Sequence, residues 1–195
     1  MTFKDLKTRI CALLDVDMAD AAAGSLYAVI APLITSTVNA ISDKVALAFR
    51  SLVKEEALKF EKSAFGARAR LPKNFASVRA ISVGGKRFGG ECMEVLGDHI
   101  YLLDGDAGEH VLCYVSLAEP FSDAAEETAI PFDDYAADTI AYGAAAELCH
   151  SVYPSDMARF MRLATEFDSR MTKTADRLGE TSVKNSAFTG KRGGF

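Results

Sequence analysis

The chain has 195 residues, of which 49% are hydrophobic and 25% are charged, and its net charge at pH 7 is −5. This balance is typical of a folded globular protein, and a chain of this length buries roughly 70% of the surface that its unfolded form exposes. The acidic charge disfavours a surface built to grip phosphate backbones, and neither a signal peptide nor a membrane span is predicted.

The first fifty residues predict two helices. Apolar residues at helical spacing from Phe3 to Leu14, with Thr2 as a cap, predict the first one. A second helix is predicted from about Ser25 to Leu52. Pro32 lies inside this second region, where it would either kink the helix or mark its true start, and the sequence leaves both outcomes open.

Residues 55–117 predict a small antiparallel sheet. Gly84-Gly85 separates "RAISV" from "KRF" and indicates a hairpin, because glycine adopts the positive φ of the primed turns without a Cβ clash. The glycine-rich, basic stretch "GGKRFGG" could also be imagined as a phosphate cradle. It lacks a following helix to complete such a site, so the hairpin tip is favoured.

The stretch "YLLDGDAGEHVLCY", residues 101–114, raises the question of a calcium loop. Asp104, Asp106 and Glu109 are close together, but an EF-hand loop needs glycine at position 6 and glutamate at position 12. Counting from Asp104, those positions hold Glu109 and Val115. Asp and Gly also form turns without metals. We therefore predict a hairpin turn between the β-rich runs "HIYLL" and "VLCYV".

Helical patterns return after an acidic connector, residues 118–131. Asp133 or Asp134 would cap an alanine-rich helix that ends near Pro154, and this slim helix could pack within the chain or against another subunit. Ser155 would cap a last helix. Its predicted apolar stripe is Met157, Phe160, Met161, Ala164, Phe167, Met171, Ala175 and Leu178. The charged residues predicted for a solvated or intersubunit face are Arg159, Arg162, Glu166, Asp168 and Arg170.

No catalytic or metal-binding pattern is present. There is no G-x-S-x-G, Walker A or G-x-G-x-x-G sequence. The cysteines, Cys11, Cys92, Cys113 and Cys149, form no C-x-x-C pair, and the histidines, His99, His110 and His150, have no second ligand at i+3 or i+4. Cys149 and His150 are adjacent, but neighbours on a helix point about 100° apart and cannot form a nucleophile and base pair on their own. We expect reduced, mostly buried thiols, no metal site and no cofactor.

The last segment, residues 181–195, has no acidic residue and no periodicity. Its composition cannot bury a core, so it is either a frayed end or a docking peptide that orders on a partner. In the second interpretation, Phe188 and Phe195 are apolar anchors, while Lys191 and Arg192 face an acidic partner.

The order of these elements resembles the head-to-tail adaptor, or connector, proteins of tailed bacteriophages. The similar features are "FKDLKTRI", Leu71-Pro72 followed by an aromatic residue and a strand, "IPFDDYAADTIAYGAAAELC", and "MARFMRLATEFDSRM" after a Pro-Ser-Asp step. The resemblance spans most of the chain and includes no catalytic residue.

The resemblance implies an α+β fold. An α-helical bundle, residues 1–54 and 118–180, would carry an inserted small antiparallel β-sheet, residues 55–117, and an extended C-terminal docking tail, residues 181–195. Copies would form a homo-oligomeric ring, typically of twelve, below the portal protein in the virion neck. DNA would pass through the channel without sequence-specific binding, and a stopper or tail protein would attach to the ring, with no membrane or cofactor involved.

Two groups of contact residues follow from the resemblance. The tail would dock on the portal through Val183, Lys184, Phe188, Lys191, Arg192 and Phe195. The loops expected to touch a neighbouring subunit or the tail contain Gly84, Gly85, Lys86, Arg87, Asp104, Asp106 and Glu109. Two alternatives stay open: another neck or tail-completion protein, and a small α+β enzyme or ligand-binding domain, which would show a polar pocket with convergent ionisable groups.

Overall fold

The structure is a computed structural model that describes residues 1–19 and 24–189. Side chains are described as far as Lys173, apart from those of Gly90 and Ala124. The chain forms two compact units: a helical unit, Met1–Phe49 with Pro120–Phe195, and a β unit, Arg50–Glu119. The described residues thus confirm the α+β class, with four α-helices and a seven-stranded, curled antiparallel sheet.

The helical unit contains α1 (Phe3–Leu13), α2 (Leu26–Phe49), α3 (Asp134–Val152) and α4 (Met157–Thr189). α3 is the central helix and packs against the other three. The β unit contains β1 (Val53–Ser63), β2 (Gly66–Arg70), β3 (Phe75–Val83), β4 (Lys86–Phe88), β5 (Met93–Leu96), β6 (His99–Leu103) and β7 (Gly108–Ser116). Short 3₁₀ turns occupy Gly90–Cys92 and Asp123–Ala125.

The start of α1 is set by a capping box. The Thr2 hydroxyl accepts the Asp5 N–H at 3.2 Å, and the Asp5 carboxylate accepts the Thr2 N–H at 2.8 Å. Two of the backbone N–H groups that a helix start leaves without intrahelical partners are satisfied in this way. The predicted cap at Thr2 is confirmed.

The acidic connector packs against α1. Its carbonyl oxygens at Thr128 and Glu126 accept the N–H groups of Phe3 and Lys4, at 3.1 and 2.9 Å. The buried Lys7 ammonium lies 3.1 Å from the Asp123 carboxylate and 2.5 Å from that of Glu126. From Pro120 onward, the connector is therefore part of the helical unit.

α2 is continuous across Pro32, which lies well inside the helix. Pro32 therefore does not mark the start of α2, which begins where the Ser25 hydroxyl accepts the Ala28 N–H at 3.3 Å. The buried stripe follows the predicted positions, Ile30, Ile34, Val38, Ile41 and Val45.

α3 is buried on most of its circumference. Asp133 caps it by accepting the Ala136 N–H at 2.7 Å, as predicted. Small side chains allow three helices to approach closely, and the buried positions are Ala136, Ala137, Thr139, Ile140, Ala141, Gly143, Ala144, Ala145, Ala146, Leu148 and Cys149. The sequence left open whether this helix packs within the chain or against another subunit. In the structure it packs within its own unit.

The predicted apolar stripe of α4 is confirmed in part, since Phe160, Ala164, Phe167 and Met171 are half-buried. Leu163 is the most buried residue of its described part, whereas Met157 and Met161 are 51% and 54% exposed. Leu163 lies at one edge of the half-buried stripe, and Met157 and Met161 lie at the opposite edge, so the buried face is rotated towards Leu163. The cap is also different: Asp156, not Ser155, accepts the Arg159 N–H at 3.1 Å, because it directly precedes the first helical residue.

The strands of the β unit are ordered β4-β3-β7-β1-β2-β6-β5, and all pairs are antiparallel. β1 pairs with β7 through Val53–Phe60 and with β2 through Glu61–Ser63. The sheet encloses a core of Phe60, Ala67, Ala69, Ile81, Met93, Ile100, Leu102, Leu112 and Tyr114.

The predicted hairpin between β6 and β7 is wrong. Residues 104–107 do connect the two strands, but β6 pairs with β2 and β5, while β7 pairs with β1 and β3. The long strand β1 and strand β2 lie between them. A short connection usually joins paired strands, but here the long edge of β1 provides more ladder hydrogen bonds to β7 than the short β6 would.

Candidate functional site

The predicted contact loop at the β3–β4 hairpin is a tight, exposed turn. Gly84 and Gly85 have φ of 55° and 80°, and Val83 pairs with Lys86, which is the two-residue hairpin that the sequence predicts. Lys86 is exposed at the tip. Arg87 is exposed as well, and its Nη2 donates to the Cys113 Sγ of β7 at 3.2 Å.

The acidic loop, residues 104–109, is held by its backbone. Asp104 adopts a φ of 54°, a left-handed conformation that Asp tolerates. The buried His110 ring lies with Nε2 2.9 Å from the Asp106 carbonyl oxygen and packs on the Phe60 ring at 5.3 Å. The carboxylates of Asp104, Asp106 and Glu109 are exposed. Within the described residues no group of three or more His, Cys, Asp or Glu side chains is placed to hold a metal ion.

The predicted portal-docking residues lie outside the described side chains. α4 is helical as far as Thr189, a span that includes Val183, Lys184 and Phe188, but side chains are described only to Lys173. Lys191, Arg192 and Phe195 are outside the described residues altogether. The docking tail therefore stays a prediction.

Two arginines of α4 that were expected on a solvated or intersubunit face make contacts within the helical unit. Arg159 donates to the Leu14 carbonyl oxygen at 2.7 Å and forms ion pairs with Asp15 and Asp156 at 3.2 and 3.1 Å. Its guanidinium therefore satisfies the C-terminal carbonyl of α1, an acceptor that a helix end leaves without a partner.

Arg170 makes a second network on α4. It pairs with Asp138 at 3.1 Å and Glu166 at 2.8 Å, and its guanidinium carbon lies 4.7 Å from the centroid of the Tyr142 ring. Arginine suits such a position because its planar guanidinium can pair with carboxylates while stacking on an aromatic face.

A groove of about 630 Å³ runs along the helical unit beside these networks. Its lining residues are Leu13, Tyr142, Met161, Arg162, Leu163, Thr165 and Glu166. Met161 and Arg162 are exposed here, so the methionine that was predicted for the core instead lines an open groove.

A second concave site, which we call the arginine pocket, lies wholly within the β unit. It has a volume of about 390 Å³ and is lined by Arg50, Ser77, Val78, Arg79, Ala80, Arg87 and Val115. The three arginines come from the residue after α2, from β3 and from β4. Only Arg87 was singled out by the sequence, because nothing in the spacing of Arg50 and Arg79 indicates that the sheet brings them together.

The buried thiols are poorly suited to nucleophilic chemistry. Burial raises the pKa of the Cys11 and Cys149 thiols, so both stay protonated at neutral pH, whereas the thiolate is the reactive form. Cys113 is buried too, and Cys92 is half-buried. This agrees with the predicted mostly buried thiols.

α2 is long and apolar enough, by length and composition, to cross a membrane. Core helices of folded proteins pass the same test. Here the Asn39 side chain exchanges two hydrogen bonds with the Phe121 backbone, at 2.8 and 3.1 Å, and the Thr35 hydroxyl donates to Asp123 at 2.7 Å. These polar contacts join α2 to the connector, while 28% of the apolar window of α2 is buried.

No family model and no curated protein matches this chain.

Proposed function

We propose that this chain is a structural head-to-tail adaptor of a tailed phage. In this role, copies form a ring, typically of twelve, below the portal protein, which extends the DNA channel and offers an attachment surface for the stopper or tail. The observation that carries the proposal is the order of the elements. Helices α1 and α2 are followed by an antiparallel β unit and then by α3 and α4, the order that the resemblance implies.

An apolar outer face of α2 supports self-association. Val29, Leu33 and Leu47 are 57%, 42% and 45% exposed, and they lie along one line of the helix with the exposed Ser36 and Ala40, so the line is mostly apolar. This line is on the side away from the buried stripe. A helix with apolar residues on both sides usually has a second partner, and in a ring that partner is a neighbouring copy.

A charge substitution on this face tests the proposed ring. The wild-type chain is mixed with the portal protein from the same genome, and the assembly is measured by light scattering and negative-stain microscopy. Leu33→Glu should reduce ring formation, because a carboxylate would be desolvated at the contact. Leu96→Glu is the matched control, since Leu96 is also exposed, at 51%, but lies on β5. Wild-type chain that forms no ring, with or without portal, would contradict the adaptor assignment.

The tail provides a second test. Deleting residues 181–195 should leave the far-UV circular dichroism of the rest of the chain intact but abolish portal binding, because the basic, aromatic segment is proposed to order on the portal. The double variant Phe188→Ala/Phe195→Ala should weaken binding by itself. Equal capture of portal by the truncated and full-length chains would remove the tail from the proposal.

One observation favours an alternative function. The arginine pocket is a polar concavity with convergent ionisable groups, as a small ligand-binding α+β domain would have. Such a domain would stay monomeric and ignore portal in the mixing experiment. Another neck or tail-completion protein would instead bind the stopper or tail without requiring portal.

A further inference from the structure

The arginine pocket brings together three positively charged side chains that form no ion pair within the described chain. In the described residues, no carboxylate lies within ion-pair distance of Arg50, Arg79 or Arg87, and their only polar side-chain contact is that of Arg87 with the Cys113 sulfur. Within residues 50–119 there are ten Lys and Arg and ten Asp and Glu residues, so the β unit as a whole is neutral. The local positive charge therefore arises from the fold and not from a basic composition.

Backbone irregularities help to bring the arginines together. The β3–β7 ladder shifts register between Val78 and Ala80, so that Arg79 is the extra residue of a β-bulge. Bulges re-aim a side chain and leave the extra residue out of the ladder. Arg50 adopts a φ of 50°, in the left-handed region that a non-glycine residue rarely occupies.

Placing three like charges around one concavity without an ion-pair partner is electrostatically unfavourable. Repulsion between exposed guanidinium groups is weakened by water, but a bound anion would remove it and gain hydrogen bonds as well. A single carboxylate offers two oxygens and one charge, which one guanidinium can satisfy. A phosphate group has a larger charge and at least three acceptor oxygens, enough for several guanidinium groups.

We propose that the arginine pocket binds a phosphate group through Arg50, Arg79 and Arg87. The volume of about 390 Å³ leaves room for more than one phosphate. The Ser77 hydroxyl, on the wall of the pocket, is a further hydrogen-bond donor. Two sources could supply the group: a small free phosphate compound, or the backbone of a nucleic acid. This site does not depend on the adaptor assignment, because its assay does not measure ring formation.

The test uses the full-length chain and two phosphate probes. Pyrophosphate is titrated at constant ionic strength and followed by amide chemical shifts, and a double-stranded DNA oligonucleotide is titrated by fluorescence anisotropy. Pyrophosphate should shift the amides of Ser77, Val78, Arg79 and Ala80. Arg79→Gln should weaken pyrophosphate binding by at least about tenfold, as loss of a charge-assisted hydrogen-bond donor does.

Arg68→Gln is the matched control. Arg68 is exposed on β2 of the same unit, outside the pocket, and has no partner among the described side chains, so this variant should bind as the wild type does. Arg79 has no side-chain partner either, so its variant should fold; Arg50→Gln gives an independent second variant. Circular dichroism spectra of all variants verify the fold.

The two probes distinguish the sources. If Arg79→Gln weakens both pyrophosphate and DNA binding, nucleic-acid phosphate is the natural ligand class. If it weakens only pyrophosphate binding, the ligand is a free phosphate compound. Pyrophosphate affinity that is the same in the wild type, Arg79→Gln and Arg50→Gln would overturn the proposal. Equally tight binding of a carboxylate probe, such as citrate or a peptide of residues 101–114, would overturn the choice of phosphate.

Discussion

Gly143 lies where α2, α3 and α4 meet, and replacing it by alanine sets two opposing effects against each other. In an exposed helix interior, alanine makes the helix about 1 kcal/mol more stable than glycine does, because alanine loses less backbone entropy on folding. At Gly143, however, an added Cβ would lie 2.8 Å from Ile41 Cγ2 and 2.8 and 2.9 Å from two carbons of the Phe167 ring.

The close contacts determine whether Gly143→Ala stabilises or destabilises the protein. Carbon atoms in contact prefer a separation of about 3.5–4.0 Å. Ile41 and Phe167 would therefore each have to move away from the new Cβ by roughly half an ångström or more. Ile41 is buried and branched at Cβ, and close-packed interiors yield little, so overpacking should cost about 2–3 kcal/mol. Subtracting the gain in helix propensity leaves Gly143→Ala about 1–2 kcal/mol less stable than the wild type.

Urea unfolding followed by far-UV circular dichroism measures this loss, and thermal unfolding should show a melting temperature lower by roughly 2–8 °C. Thr8→Ala, at an exposed position of α1, is the control and should change stability by less than about 0.5 kcal/mol. In the double variant with Phe167→Leu, the smaller side chain makes room for the Cβ. The double variant should therefore lose less stability than the sum of the losses in the two single variants. A Gly143→Ala variant as stable as the wild type would refute the argument from close packing.

Three further predictions concern the β unit. Gly66→Ala should destabilise it by more than about 2 kcal/mol, because the residue has a φ of 117° and a Cβ would meet the Leu102 carbonyl oxygen. Gly97→Ala, at a φ of 61° with open space around it, should cost only about 1–2 kcal/mol in backbone strain, and equal losses of the two variants in urea unfolding would contradict this. Burial, as the main cause, and the hydrogen bond to Glu56, as the second, raise the pKa of Tyr114 from 10.0 to about 12. As the pH rises, the unfolded state therefore loses this proton first. The contribution of the protonated phenol to the free energy of unfolding is present below pH 10 and is lost as the pH rises towards 12. Absorbance titration of the phenol should show Glu56→Gln lowering this pKa only in part, since burial remains; a return to 10.0 would make the hydrogen bond the main cause. Calcium should leave the melting temperature unchanged, because the acidic loop lacks EF-hand spacing, and a rise of several degrees would refute that interpretation.

The two loops proposed as ring contacts differ in how well their structure can be predicted from the sequence. The two-residue turn at Gly84-Gly85 was predictable because positive φ at two successive positions is a local property of glycine. The acidic loop was predicted as a hairpin turn, which is wrong because the strands that it connects pair with other partners. The convergence of Arg50 and Arg79 with Arg87 was not predictable, since it depends on a bulge and a strand order that no local pattern records.

Signals that act within a few residues were thus readable from the sequence by itself: the caps at Thr2 and Asp133, the glycine turn, the apolar stripe of α2 and the α+β class. Each depends on hydrogen bonds or side-chain periodicity inside one element. The tertiary structure alone decided that α4 buries Leu163 rather than Met157 and Met161, that β1 and β2 separate β6 from β7, and that three arginines share a pocket. These outcomes depend on competition between distant surfaces for the same partner, and the free energy of that competition is set by the packing of the whole unit.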